Sequence, residues 1–331
     1  MQTLFNDQAK NRSLLGGGFG MVTSNKRYVF WFWLLSLFLA GFGTSSFRES
    51  AHAILDHSLY AERLTHGFDL SVYIELLVRP EFGPMKSMYF PAHYFAAFFF
   101  IATALFLPGV FAGYVSTYRL PREDFFRVCG RNLWRFIRIM IIAGIVMGIF
   151  AGILFAANGA IVKKAGESTY EVLPFELQMT GLAIIFLVMT TLRICFDLAE
   201  ADTVLNDQRA VRKSIATAFR HTFRGFGRLL GSYVLTTIVA AAILVGGVWA
   251  WMKLISPESL VGAFAISQIT LFLLLIPRFW QRGIAVVYWQ QRMLVPVVVV
   301  EPTAPAPIPV PAAPEPAPEP APTAPTTPAA T

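Results

Sequence analysis

The chain has 331 residues, of which 55% are hydrophobic and 14% charged, with a mean hydropathy of +0.56 and a formal net charge of +7. Ordinary soluble domains are roughly a quarter charged, so a wholly soluble fold is excluded. Two cysteines exclude a disulfide-rich scaffold and a four-cysteine zinc site, and no nucleotide or cofactor motif occurs, so no cofactor is expected.

Residues 1–27 read as a cytoplasmic leader. The GGGFG run at 16–20 lacks the preceding strand and following helix of a phosphate loop, and reads as flexible. The polar stretch before the first apolar run is too long for a cleaved signal peptide, so that run is a retained anchor.

A bilayer core about 30 Å thick is crossed by about 20 apolar helical residues. Six segments qualify, at 28–47, 92–114, 139–157, 177–196, 229–254 and 261–289. The expected fold is all-α, a six-span membrane bundle over 28–292 with amphipathic interfacial helices. Residues 48–91 form its outer loop, in which two short amphipathic helices are expected, and Pro91 opens the second span.

The outer loop holds His52, His57 and His66 beside Glu49, Asp56 and Glu62, with His93 at its edge. A metal site needs converging ligands, and neither an HExxH motif nor a short paired His spacing is present. These residues read as a solvated polar face, and no metal is expected.

The connector before span three opens on Pro121, Glu123 and Asp124, a good helix start. It then repeats arginine at 127, 131 and 135 beside apolar residues, as an interfacial helix would. The form F-R-x3-R-x3-R recurs before span five: Phe126, Arg127, Arg131 and Arg135 correspond to Phe219, Arg220, Arg224 and Arg228. The two hairpins therefore read as candidate copies of one unit.

Within the spans, Gly144, Gly148 and Gly152 place small residues every four positions in span three, as do Ala242, Gly246 and Ala250 in span five. Such stripes are expected to pack within the bundle, with a homodimer face as the alternative. Arg193, Asp197 and Glu200, spaced 4 and 3, share a face at one end of span four, and Arg278 and Arg282 sit near the same end of span six after Pro277. Asp197 or Glu200 is expected to pair with Arg278, Arg282 or Arg138, either as a clamp or as the lining of a transport vestibule.

Basic residues are retained on the cytoplasmic side. With both termini inside, 20 of the 27 Lys and Arg residues fall on that side. Both termini are therefore expected in the cytoplasm. The charge then serves anionic headgroups and gives no support to nucleic-acid binding. Cys129 and Cys195 fall near the same side and read as reduced structural thiols. From 296 onward 13 of 36 residues are proline, so 293–331 reads as a disordered tail able to dock a protein partner.

The six spans, the basic segments before spans three and five, and the run FDLAEADTVLND at 196–207 leading into Ala218-Phe219 resemble a broad, mostly uncharacterised group of bacterial six-span membrane proteins. That group includes the membrane domain fused to some glycerophosphodiester phosphodiesterases, whose catalysis belongs to a separate soluble barrel. The resemblance implies anchoring or membrane organisation and lends no catalytic residue. A non-enzymatic accessory or scaffold component of a bacterial inner membrane is the expected function, with a small transporter or channel as the alternative.

Overall fold

Long apolar runs without turn chemistry give long helices, because lipid offers backbone groups no partner outside the helix. The computed structural model describes residues 13–43, 62, 86–116, 119–167, 170, 172–256 and 259–293. Among the described residues it is all-helical: α1 (Leu14–Ser24), α2 (Lys26–Gly43), α3 (Lys86–Val115), α4 (Arg122–Ala165), α5 (Leu173–Leu205), α6 (Val211–Arg224), α7 (Phe226–Leu254) and α8 (Leu260–Arg292). Five of these, α3, α4, α5, α7 and α8, are long and apolar enough to cross a membrane.

The first expected span is α2. Its described part has 18 residues and opens on Lys26 and Arg27, which leaves too short an apolar stretch for a full crossing. The remainder of that span, most of the outer loop with His52, His57 and His66, and the tail from 294 lie outside the described residues. The second span begins earlier than expected, at Lys86, so Pro91 falls inside the first turns of α3 rather than at its first position.

Two further expectations are corrected. The segment before span three is not a separate helix lying on the surface: α4 runs unbroken for 44 residues, about 66 Å, because nothing in the sequence interrupts it. Its arginines therefore extend the axis of the span. The GGGFG run is not flexible either. Ser13 caps α1 by accepting from the Gly16 amide at 3.0 Å, and Leu14, Gly17, Gly18, Met21 and Val22 form one buried helical stripe.

That stripe lies on α8. A Cβ on Gly283 would stand 2.6 Å from the Gly18 carbonyl oxygen, and one on Gly18 would stand 2.8 Å from the Ile284 amide nitrogen. Only glycine on both helices lets the backbones meet so closely. Trp280 Nε1 donates to the Leu15 carbonyl at 2.8 Å beside this crossing.

Burial is uneven along the bundle. The core gathers where α1 meets the start of α2, the ends of α3, α5 and α8, and the first turns of α4 and α7. We call this the arginine-rich end. Only 6% of the most apolar window of α4 is buried, against 44% of that of α5. Gly144, Gly148 and Gly152 are exposed, with nothing within 4 Å of a Cβ added at any of them, so they do not pack within the bundle as expected. In α7 the contact glycine is Gly247, set against Thr270, rather than Gly246.

Gly283→Ala is expected to lower stability by about 1–3 kcal/mol, because backbone faces the added methyl and cannot move aside. Gly148→Ala, with open space around it, is expected to stay within about 1 kcal/mol of the native protein and to gain helix propensity. Thermal unfolding of the purified chain in detergent measures both; equal effects would show that the Gly18–Gly283 crossing is not tight.

Candidate functional site

The last turns of α5 are buried on every side: Ile194 to Val204 are all buried, and they include three carboxylates, Asp197, Glu200 and Asp202. An ionised carboxylate away from water needs hydrogen bonds or opposite charge. Each of the three is served differently.

Asp197 Oδ2 accepts from the Tyr233 hydroxyl at 2.9 Å, and the Arg193 Nε lies 3.8 Å from the same oxygen, one turn back on α5. The Gln281 carbonyl, on α8, is a second acceptor for the Tyr233 hydroxyl at 3.1 Å. One phenolic proton thus faces two acceptors on two helices. The Gln281 side-chain amide returns to α7, donating to the hydroxyls of Thr236 and Thr237 at 3.1 Å each. Those hydroxyls donate onward to the Tyr233 carbonyl at 2.9 and 2.8 Å. Donors and acceptors alternate through the set, and α5, α7 and α8 are joined by it.

Asp202 accepts from Asn206 Nδ2 at 2.6 Å and from Trp289 Nε1 at 3.3 Å. Glu200 has no such partner: its Oε2 is buried without a hydrogen bond, within electrostatic reach of Asp197, Arg282 and Arg193.

The structure therefore brings Arg193, Asp197, Glu200 and Arg282 together, with Arg278 at the edge. The expected cross-helix ion pairs are replaced. Asp197 pairs within its own helix, while the bonds between helices run through Tyr233 and Gln281. Arg138 is not in the cluster. It is exposed and lies 5.4 Å over the Trp134 ring on its own helix, because Phe136 and Ile139 take the buried face of α4.

The two arginine stripes also differ. Arg135 and Arg131 reach Asp207, in the turn after α5, at 2.6 and 3.5 Å, and Arg127 pairs with Asp124 at 2.7 Å. Arg220, Arg224 and Arg228 are exposed without an ion pair among the described residues, and the helix breaks at Gly225 between the second and third of them. The breaking glycine abuts the Tyr288 ring, whose hydroxyl donates to the His221 carbonyl at 2.9 Å. The two hairpins are thus built differently around the same sequence pattern. Exposed Phe219 and Phe223, with ring centroids 4.8 Å apart, flank the free stripe as an interfacial face would require.

Cys129 and Cys195 are free and buried. Among the described residues no group of three His, Cys, Asp or Glu side chains could hold a metal ion. No family model, curated protein or solved structure matches this chain.

Tyr233 and Gln281 were not expected from sequence. Their signal is the polar run Ser232, Tyr233, Thr236 and Thr237 inside an apolar span, with Gln281 beside Arg282. Tyr233→Phe is expected to lower stability by about 1–3 kcal/mol, since Asp197 loses the hydroxyl that donates to it. Asp197→Asn is expected to be destabilising as well. The double variant should show a coupling of about 0.5–3 kcal/mol, and strict additivity in thermal unfolding would dissolve the pair.

Asp207 lies outside the spans, and the hydrogen bond from Arg135, with Arg131 and Arg209 nearby, holds its carboxyl below the ordinary value. A depressed folded pKa contributes stability above the unfolded value of about 4 that is lost as pH falls through the folded one. Asp207 has a positive φ of 49°, which Asn also tolerates, so Asp207→Asn removes the charge alone. The variant should melt slightly below the native protein at pH 7, and the gap should close as pH falls through the depressed folded value; a gap that persists in strong acid would assign the effect to the turn.

Proposed function

We propose that the protein is a non-enzymatic component of a bacterial inner membrane that organises or anchors other components there. The observation that carries this reading is the use of the buried polar groups on one another: Asp197, Tyr233, Gln281, Thr236 and Thr237 close a hydrogen-bonded set. A transport path past Asp197 would need that carboxylate open to water, and it is 7% exposed. The resemblance noted in the sequence also implies anchoring.

In this reading both termini are cytoplasmic and the arginine-rich end faces the cytoplasm, following the distribution of Lys and Arg. The exposed second stripe, with Phe219 and Phe223, meets anionic headgroups, and the proline-rich residues 296–331 dock a protein partner.

Proteoliposomes carrying the full chain under proton and potassium gradients are expected to leak no faster than empty vesicles. Flux that Asp197→Asn abolishes would replace this reading by the transporter. For orientation, Lys253→Cys should react with an impermeant thiol reagent in intact cells and Arg209→Cys should not; the reverse pattern would invert the topology.

A further inference from the structure

Three guanidinium groups, Arg193, Arg278 and Arg282, share one neighbourhood with two carboxylates, Asp197 and Glu200. Even with both acids ionised, one positive charge is left over. Among the described residues neither Arg278 nor Arg282 makes a hydrogen bond or an ion pair, and Arg282 Nε is buried without a partner. An unmatched charge at membrane depth is costly, so a counter-anion is expected.

The two arginines line one cavity of about 320 Å³ between α2, α3, α4 and α8, whose other walls include Phe100, Phe279, Met140 and Thr103. The volume falls within the roughly 300–1,000 Å³ of small-ligand sites. The Thr103 hydroxyl is also buried without a partner. A carboxylate-free, mostly apolar chamber that presents two guanidiniums and a hydroxyl suits an anion carried on an apolar body.

Its depth fits the same ligand. From Leu260, about 20 residues of α8 cross the hydrocarbon layer, which sets Arg278 and Arg282 at its arginine-rich boundary, where headgroup phosphates lie. Ala96, Phe100 and Arg278, which line the cavity, are exposed, so it opens at the surface of the bundle. We infer that this cavity binds the headgroup of one acidic phospholipid, its phosphate held by Arg278, Arg282 and Thr103 and its upper acyl chain laid against Phe100. The proposal needs only that α8 cross a bilayer and is independent of the organising role above.

The full chain, purified in neutral detergent and stripped of lipid, is tested by native mass spectrometry and thermal unfolding with dioleoyl phosphatidylglycerol, dioleoyl phosphatidylcholine or inorganic phosphate. One phosphatidylglycerol should be retained in preference to phosphatidylcholine and raise the unfolding temperature. Arg278→Gln should weaken retention about fivefold, the effect of one arginine near an anionic headgroup. Ala96→Phe, which fills the mouth and leaves every charge in place, should weaken it at least as much. Lys163→Gln, exposed in the last turn of α4 and far from the cavity, should leave it unchanged. Equal retention of both lipids, equal loss with Lys163→Gln, or full retention by Ala96→Phe would overturn the site; equal stabilisation by inorganic phosphate would overturn the lipid as its ligand.

Discussion

Three carboxylates in the fully buried last turns of α5 set the terms for the rest of the structure. Asp197, Glu200 and Asp202 sit between Ile194 and Val204, where water does not reach. The bonds that reach other helices, directly or through Tyr233, fix those helices in place. Tyr233 fixes α7, Trp289 and Gln281 fix the far end of α8, and Arg193 supplies charge from α5 itself. In lipid the hydrophobic effect does not drive helices together, so directional bonds and close packing decide how they associate. Here both are concentrated at one end.

The opposite ends of the spans follow from that concentration. With register and position already fixed, the halves away from that end need no further contacts, and Ile145, Ile149, Ile153, Val245 and Phe264 are left exposed as lipid would have them. Where two helices do meet there, one bulky polar side chain faces a glycine: Asn158 on α4 against Gly181 on α5, and Thr270 on α8 against Gly247 on α7. A stripe of glycines at Gly144, Gly148 and Gly152 is tolerated on the lipid side because no water competes there for the helix hydrogen bonds.

The parts legible in the sequence were those governed by length and by spacing along one helix. Five of the expected spans follow from the bilayer thickness, and the face shared by Arg193, Asp197 and Glu200 follows from steps of 4 and 3. What a single helix does not specify is the neighbour it meets. Gly144, Gly148 and Gly152 have the spacing of a contact but no partner helix among the described residues, and Arg138 follows the arginine stripe yet turns to Trp134 rather than to Asp197 or Glu200. The contact of α1 was hidden for a different reason. Leu14, Gly17, Gly18, Met21 and Val22 are spaced as a helix face, yet two of the five are glycines, whose role is to vanish at a backbone crossing rather than to add hydrophobicity. Tyr233 carries no sequence signal of its own, because its ring satisfies the hydropathy of a span while its hydroxyl makes the polar bonds.

The crossing of α1 over Gly283 also governs where charge can reside. Beyond that glycine, Ile284 to Trp289 are buried without interruption, so α8 cannot slide along its axis without exposing them or breaking the Gly18 contact. A helix of 33 residues, about 50 Å, is longer than the bilayer requires, and a freer one would adjust its depth to carry its arginines into water. This one is held. Arg278 and Arg282 therefore stay at the edge of the hydrocarbon layer, one on the lipid-facing surface and one beside the Asp197 junction. Their local charge is balanced there by what the membrane itself can bring.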